Sequence, residues 1–103
     1  MKWESITRDE LSSLIDVETI KLSSEQVAFF ESIKTQLQKV SIDRAGNIEE
    51  VFIVATHEGK VLFFDDIEEG FEWGILDDNG IIQHKYANQW SLKMAIHNVD
   101  VSS

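Results

Sequence analysis

Hydrophobic positions in the first forty residues recur at three- and four-residue steps, the period of a helix seen from one side. Leu11, Leu14 and Ile15 make one such set; Val27, Phe30, Ile33 and Leu37, with Phe29 beside them, make a second. Each set follows a capping signature. In ITRDEL (6–11) Thr7 stands three residues before Glu10, and in LSSEQV (22–27) Ser23 stands three before Gln26. The hydroxyl accepts from the amide three residues on, and the longer side chain reaches back to the cap amide. The flanking pairs Ile6/Leu11 and Leu22/Val27 have the spacing of a hydrophobic staple. The pattern predicts helices over 8–16 and 24–38, joined by the connector VETIKL (17–22). It also predicts a loop over SIDRAGNIEE (41–50), which is poor in large apolar groups and holds a Gly-Asn pair.

From residue 50 the period changes to two. EVFIVAT (50–56) is rich in β-branched and aromatic residues and is apolar on both faces. HEGK (57–60) reads as a short turn and VLFFD (61–65) as the returning strand. FEWGIL (71–76) alternates, with Phe71, Trp73 and Ile75 on one face and Glu72, Gly74 and Leu76 on the other. DDNG (77–80) reads as a turn, and IIQHKYA (81–87) as a fourth strand. Gln83, His84 and Lys85 suit an edge. Asn88 is placed to cap a last helix over 89–98, presenting Trp90, Leu92, Ala95 and Ile96. The expected fold is α+β: two N-terminal helices, a four-stranded antiparallel meander and a C-terminal helix, with the helices on one face. Gly74 is the one glycine inside an expected strand, which points to a bulge or a close backbone approach.

Composition adds limits. The 103 residues, 43% hydrophobic and 27% charged, suit a single domain spanning 1–103 with one core. There is no Cys, so disulfides and thiolate chemistry are excluded. Pro is also absent, so turns fall to Gly, Asn and Asp. No apolar run approaches the ~20 residues of a membrane span. The opening MKWESITRDE is too acidic for a signal peptide, and the expected location is cytoplasmic.

Net charge changes the picture most. It is −10, and it is uneven. Residues 1–40 carry five basic and seven acidic groups; residues 41–103 carry four basic and twelve acidic. Seven of those acids, Asp65, Asp66, Glu68, Glu69, Glu72, Asp77 and Asp78, fall in residues 61–80, where there is no Lys or Arg. Such a balance disfavours direct binding to nucleic acid or to an anionic membrane. It favours a cationic partner, unless the acids serve only solubility.

Catalytic and metal motifs are not recognised. DDNG and DDIEEG lack the alternation of a calcium loop, and adjacent acids on a strand point to opposite faces. Asp66, Glu68 and Glu69 form the best remaining set of oxygen ligands for a weak loop site. His57, His84 and His97 lack zinc-ligand spacing. There is no nucleophile elbow, Walker loop or dinucleotide fingerprint. No metal or cofactor is therefore expected. Of the tryptophans, Trp73 and Trp90 read as core and Trp3 has the best claim to the surface.

The segment VFIVATHEGKVLFFDDIEEGFEWGILDDNGII (51–82), with its aromatic-Asp-Asp-Ile-Glu-Glu-Gly-Phe stretch, resembles one found in short, uncharacterised bacterial α+β proteins. LSSEQVAFFESI (22–33) resembles the helix before it. In size and acidity the chain is also similar to bacterial immunity proteins as a class, an analogy of fold and charge.

The expected function is a non-enzymatic protein-binding module of the immunity or inhibitor type, its acidic face set against a basic partner. The expected contact residues are Asp65, Asp66, Glu68, Glu69, Glu72, Asp77 and Asp78, with Trp73 or Phe71 as the packed anchor. Two alternatives stand beside it. One is a small enzyme or ligand-binding domain with a carboxylate of the acidic stretch in a helix–sheet cleft. The other is a homodimer paired through the last strand, with the charge serving solubility alone.

Overall fold

A computed structural model describes residues 6–65, 69–83 and 90–99. Both capping boxes form as the sequence implies. Thr7 N–H donates to Glu10 Oε1 at 3.0 Å and Glu10 N–H to Thr7 Oγ1 at 3.1 Å. Ser23 and Gln26 exchange the same pair at 3.0 and 3.2 Å. They open α1 (Arg8–Ile20) and α2 (Ser24–Ile33). The connector expected at 17–22 is largely the last turn of α1, whose helix runs on to Ile20.

The helix expected to reach residue 38 stops at Ile33. Lys34 caps it with extended backbone while its amide still bonds Phe30 C=O. The chain then runs directly into a long strand, β1 (Lys34–Arg44), turns at Ala45 and Gly46, and returns as β2 (Asn47–His57). Both turn residues have positive φ, 54° and 91°, as a two-residue hairpin loop demands. The loop expected at 41–50 is therefore a hairpin. Leu37 extends the helical stripe, but Val40 and Ile42 fit only a period of two, and with β2 available to pair, that period wins.

The β2 strand pairs with β3 (Lys60–Asp65), and β3 with β4 (Gly70–Gly74), all antiparallel. The short β5 (Ile81–Gln83) lies parallel to β1, with Ser41 opposite Ile81 and Asp43 opposite Gln83. The order is β4-β3-β2-β1-β5, a five-stranded mixed sheet in place of the expected four-stranded antiparallel meander. The extension of β4 past Gly74 bridges back to β5 at Leu76–Ile82, so the two ends of the sheet meet. The sheet is curled, with an inner face that encloses one apolar cluster and an outer face that carries the helices. Among the described residues β5 pairs with β1 on one side and meets the isolated Leu76–Ile82 bridge on the other; residues 84–87 of the expected last strand lie outside the described residues.

Alternation sorts the side chains between the faces. Ile42, Val51, Ile53, Val61, Phe63 and Ile82 pack inside, with Val40 and Leu76 against them. Phe52, Val54, Leu62, Phe64, Phe71 and Trp73 face outward and are covered by Leu11 of α1, Phe30 and Ile33 of α2, and the last helix α3 (Leu92–His97). Ser91 caps α3, inside the span expected to start at 89; Asn88 lies outside the described residues. A carboxylate of α1, buried Glu18, reaches the start of α3, where its Oε1 accepts from Leu92 N–H at 3.2 Å. The alternation read over 71–76 holds in part: Phe71 and Trp73 lie on the helix side and Glu72 and Leu76 on the other, but β4 ends at Gly74 and Ile75, expected beside Phe71 and Trp73, is exposed.

Candidate functional site

The acidic stretch does not face outward as a unit. Asp65, the last residue of β3, points to the inner face and is 0% exposed. Arg44, at the end of β1, grips it with two nitrogens at 2.9 Å, one to each carboxylate oxygen. The Nε of Arg44 also lies 2.7 Å from Glu49 Oε2 on β2. A planar guanidinium matches this fork, and the shielded position strengthens it. Arg44 thus joins β1, β2 and β3 at one end of the sheet. Glu72 sits on the same inner face, opposite Phe63, and is buried as well.

Trp73 is also withdrawn. It is 8% exposed, and its indole N–H donates to Ala95 C=O at 2.7 Å, fastening α3 to β4. Lys60, buried beside it, lies 5.8 Å above the ring and donates from Nζ to Val99 C=O at 2.7 Å. Phe71 is buried in the same cluster. Asp65, Glu72 and Trp73, expected at a partner contact, are all buried in the fold, and Arg44 holds Asp65 there. Asp66 and Glu68 lie outside the described residues, as do Trp3 and His84. Glu69 is exposed, in left-handed backbone at φ 56°, just before β4.

Asp77 and Asp78 lie in the turn into β5. Asp77 organises that turn: its Oδ1 accepts from Asn79 N–H at 2.8 Å and from Ile81 N–H at 3.0 Å. Its Oδ2 accepts from the Gln83 side chain at 2.8 Å. The Ile81 amide, opposed by desolvation and helped to a smaller degree by Gln83 and Asn79, holds the Asp77 carboxyl below the usual aspartate value. A lowered folded-state value means that the turn's stabilisation is complete above the unfolded value near 3.9 and is lost as pH falls through the lowered one. The Asn79 and Ile81 amide resonances are therefore expected to hold steady on acidification to about pH 4 and to move only below it. Asp77→Asn should keep the turn and abolish that transition. Titration of Asp77 at or above the ordinary value would contradict the geometry.

The helices leave part of the outer face bare. Beyond the ground covered by α1, α2 and α3, two rows of residues cross three strands. Ile48, Asp43 and Gln83 form one row; Glu50, Ser41 and Ile81 form the next. Ile48 is 57% exposed, Glu50 and Gln83 are exposed, and the other three are half-buried. Asp43 Oδ1 accepts from Gly46 N–H at 2.8 Å, which fixes it beside the hairpin turn. Lys39 bounds the patch toward the helices, its ammonium 5.5 Å over the Phe52 ring. The sequence places Ile81 and Gln83 on an edge strand but reads 41–50 as a loop, so it does not bring Ser41, Asp43, Ile48 and Glu50 beside them. The signal was the alternation of Val40 and Ile42 before Ala45-Gly46.

A helix–sheet groove of about 610 Å³ does exist, between α1, the end of α2 and the start of β1. Its described lining includes Ile15, Asp16, Ile20, Phe30, Glu31 and Leu37, and no carboxylate of the 65–78 stretch. This groove therefore does not bring a carboxylate of the acidic segment into a helix–sheet cleft. Among the described residues no three His, Asp or Glu converge as a metal site, and no helix is long and apolar enough to cross a membrane. His57 rests edge-on against Phe29, 5.0 Å between ring centres. No protein-family model, curated protein or solved structure matches the chain.

Proposed function

We propose that the protein is a non-enzymatic binding module whose acidic surface engages a basic partner protein, in the manner of an immunity or inhibitor protein. The observation that carries this reading is how the fold divides its charge. Asp65, Glu72 and Glu18 are taken inward, while Asp43, Glu50, Glu69, Asp77 and Asp78 stay on the surface of a chain with net charge −10. A surface of this sign accelerates encounter with a cationic protein and repels anionic ones.

The test is capture from the organism that makes the protein, followed by reconstitution of the binary complex from purified components. A basic partner is expected, with affinity falling more than about tenfold as salt rises from roughly 0.05 to 0.5 M, because exposed charges are screened within a Debye length. Affinity indifferent to salt, or a partner that is not basic, would overturn the reading.

A further inference from the structure

The bare part of the sheet has the make-up of a contact surface. From this we infer that the outer face of β1, β5 and the start of β2 is the docking site for a cationic protein segment that carries an apolar side chain between its lysines or arginines. The inference rests on the proposed function and adds the surface and the chemistry of what sits on it. Ile48 and Ile81 stand at opposite corners of the two rows, with Asp43 and Glu50 between them and uncharged Ser41 and Gln83 completing the grid. Apolar positions set among carboxylates suit a partner that buries one greasy group while its cations meet the acids.

The sign of charge selects the occupant. Asp77, held against Gln83, and exposed Asp78 extend the negative field past β5, and Lys39 is tied to Phe52 at the far boundary. A second copy of this chain would bring a patch of the same sign against this one, so self-association through this face is disfavoured. A nucleic acid or an anionic bilayer is repelled for the same reason. The patch spans three strands about 4.8 Å apart and two rows about 7 Å apart. It is therefore smaller than the ~800 Å² per partner of a standard interface, and an isolated segment should bind weakly and exchange rapidly.

The test uses the full chain labelled with ¹⁵N and two synthetic peptides of about ten residues, one alternating Arg and Val, the other Lys alone. The Arg-Val peptide is expected to shift amides of Ser41, Asp43, Ile48, Glu50, Ile81 and Gln83, and to bind more tightly than the Lys peptide. Ile48→Ser and Glu50→Gln should each weaken it about three- to tenfold, while Glu58→Gln, in the β2–β3 turn, should change affinity less than twofold. Both altered residues are exposed, so unchanged spectra elsewhere confirm that the variants fold. Binding that maps to the α1–α2 groove or the Glu58 turn, or that ignores Ile48 and Glu50, overturns the surface but leaves the acidic module standing. Failure of both peptides to bind at low salt counts against the proposed function and removes this inference with it.

Discussion

Replacing Arg44 with alanine is expected to destabilise the protein by about 3 kcal/mol, the lower end of the 3–5 kcal/mol typical when one member of a buried ion pair is removed. The lower end applies because the Arg44 side chain keeps 15% of its exposure, whereas Asp65 keeps none. Without the guanidinium, the Asp65 carboxylate stays at a shielded position and loses the two contacts at 2.9 Å that hold both its oxygens. A domain of this length has about 5–15 kcal/mol of total stability, so the loss is a large fraction of it. Urea denaturation of the wild type and of Arg44→Ala measures it directly. The paired replacement Arg44→Met with Asp65→Leu separates two meanings of the result. If the network matters because a lone charge is costly to bury, the double variant should recover most of the loss. If the network is needed to set the hairpin end against the end of β3, the double variant should stay unstable. An Arg44→Ala protein within about 0.5 kcal/mol of wild type, the usual range for surface changes, would show that the pair is not shielded as described.

That pair also explains why the candidate site was only partly legible. The sequence shows seven acids and no nearby cation between residues 61 and 80. Nothing local says that Arg44, twenty-one residues before Asp65, will claim one of them. The partner is assigned by strand pairing, and the pairing depends on β1, which the helical spacing of Leu37 concealed. Features set by near neighbours were readable: both capping boxes, the Glu58-Gly59 turn, the Asp77–Gly80 turn and the alternation through Phe71 and Trp73. Features set by distant ones were not. The parallel pairing of β5 with β1 joins residues about forty positions apart, and no short-range rule selects it. The exposed patch was missed for the same reason, since Asp43 and Gln83 become neighbours only through that pairing. Trp73 shows the converse. Its alternation already placed it in the core, and its use as a partner anchor gave hot-spot composition more weight than position.

Gly74→Ala is the sharpest test of the curled sheet, because an open and a closed arrangement predict opposite signs. In an open strand, exchanging Gly for Ala at a backbone conformation Ala can adopt stabilises by about 0.4–1 kcal/mol through the unfolded chain's entropy. Here a Cβ on residue 74 would lie 2.9 Å from Ile82 Cγ2 and 3.1 Å from Phe63 Cε1. Both neighbours are 1% exposed and packed in the inner cluster, so neither retreats without disturbing Ile42, Val51 and Val61. The expected outcome is destabilisation by about 1–3 kcal/mol, the range for overpacking a filled core. Ile82→Ala removes the Cγ2 methyl and opens room on the β5 side. In that background Gly74→Ala should lose much of its cost, a coupling that only residues in contact display. Phe63 lies on β3, next to β4 in any arrangement, so its contact alone would say little. Ile82 lies on the last strand, four places away in the order β4-β3-β2-β1-β5. Coupling between residues 74 and 82 therefore reports that the two ends of the sheet meet. A stabilising Gly74→Ala with no dependence on Ile82 would mean an open sheet, and the β1–β5 face would lose the curvature that holds Ile48 and Ile81 among the acids.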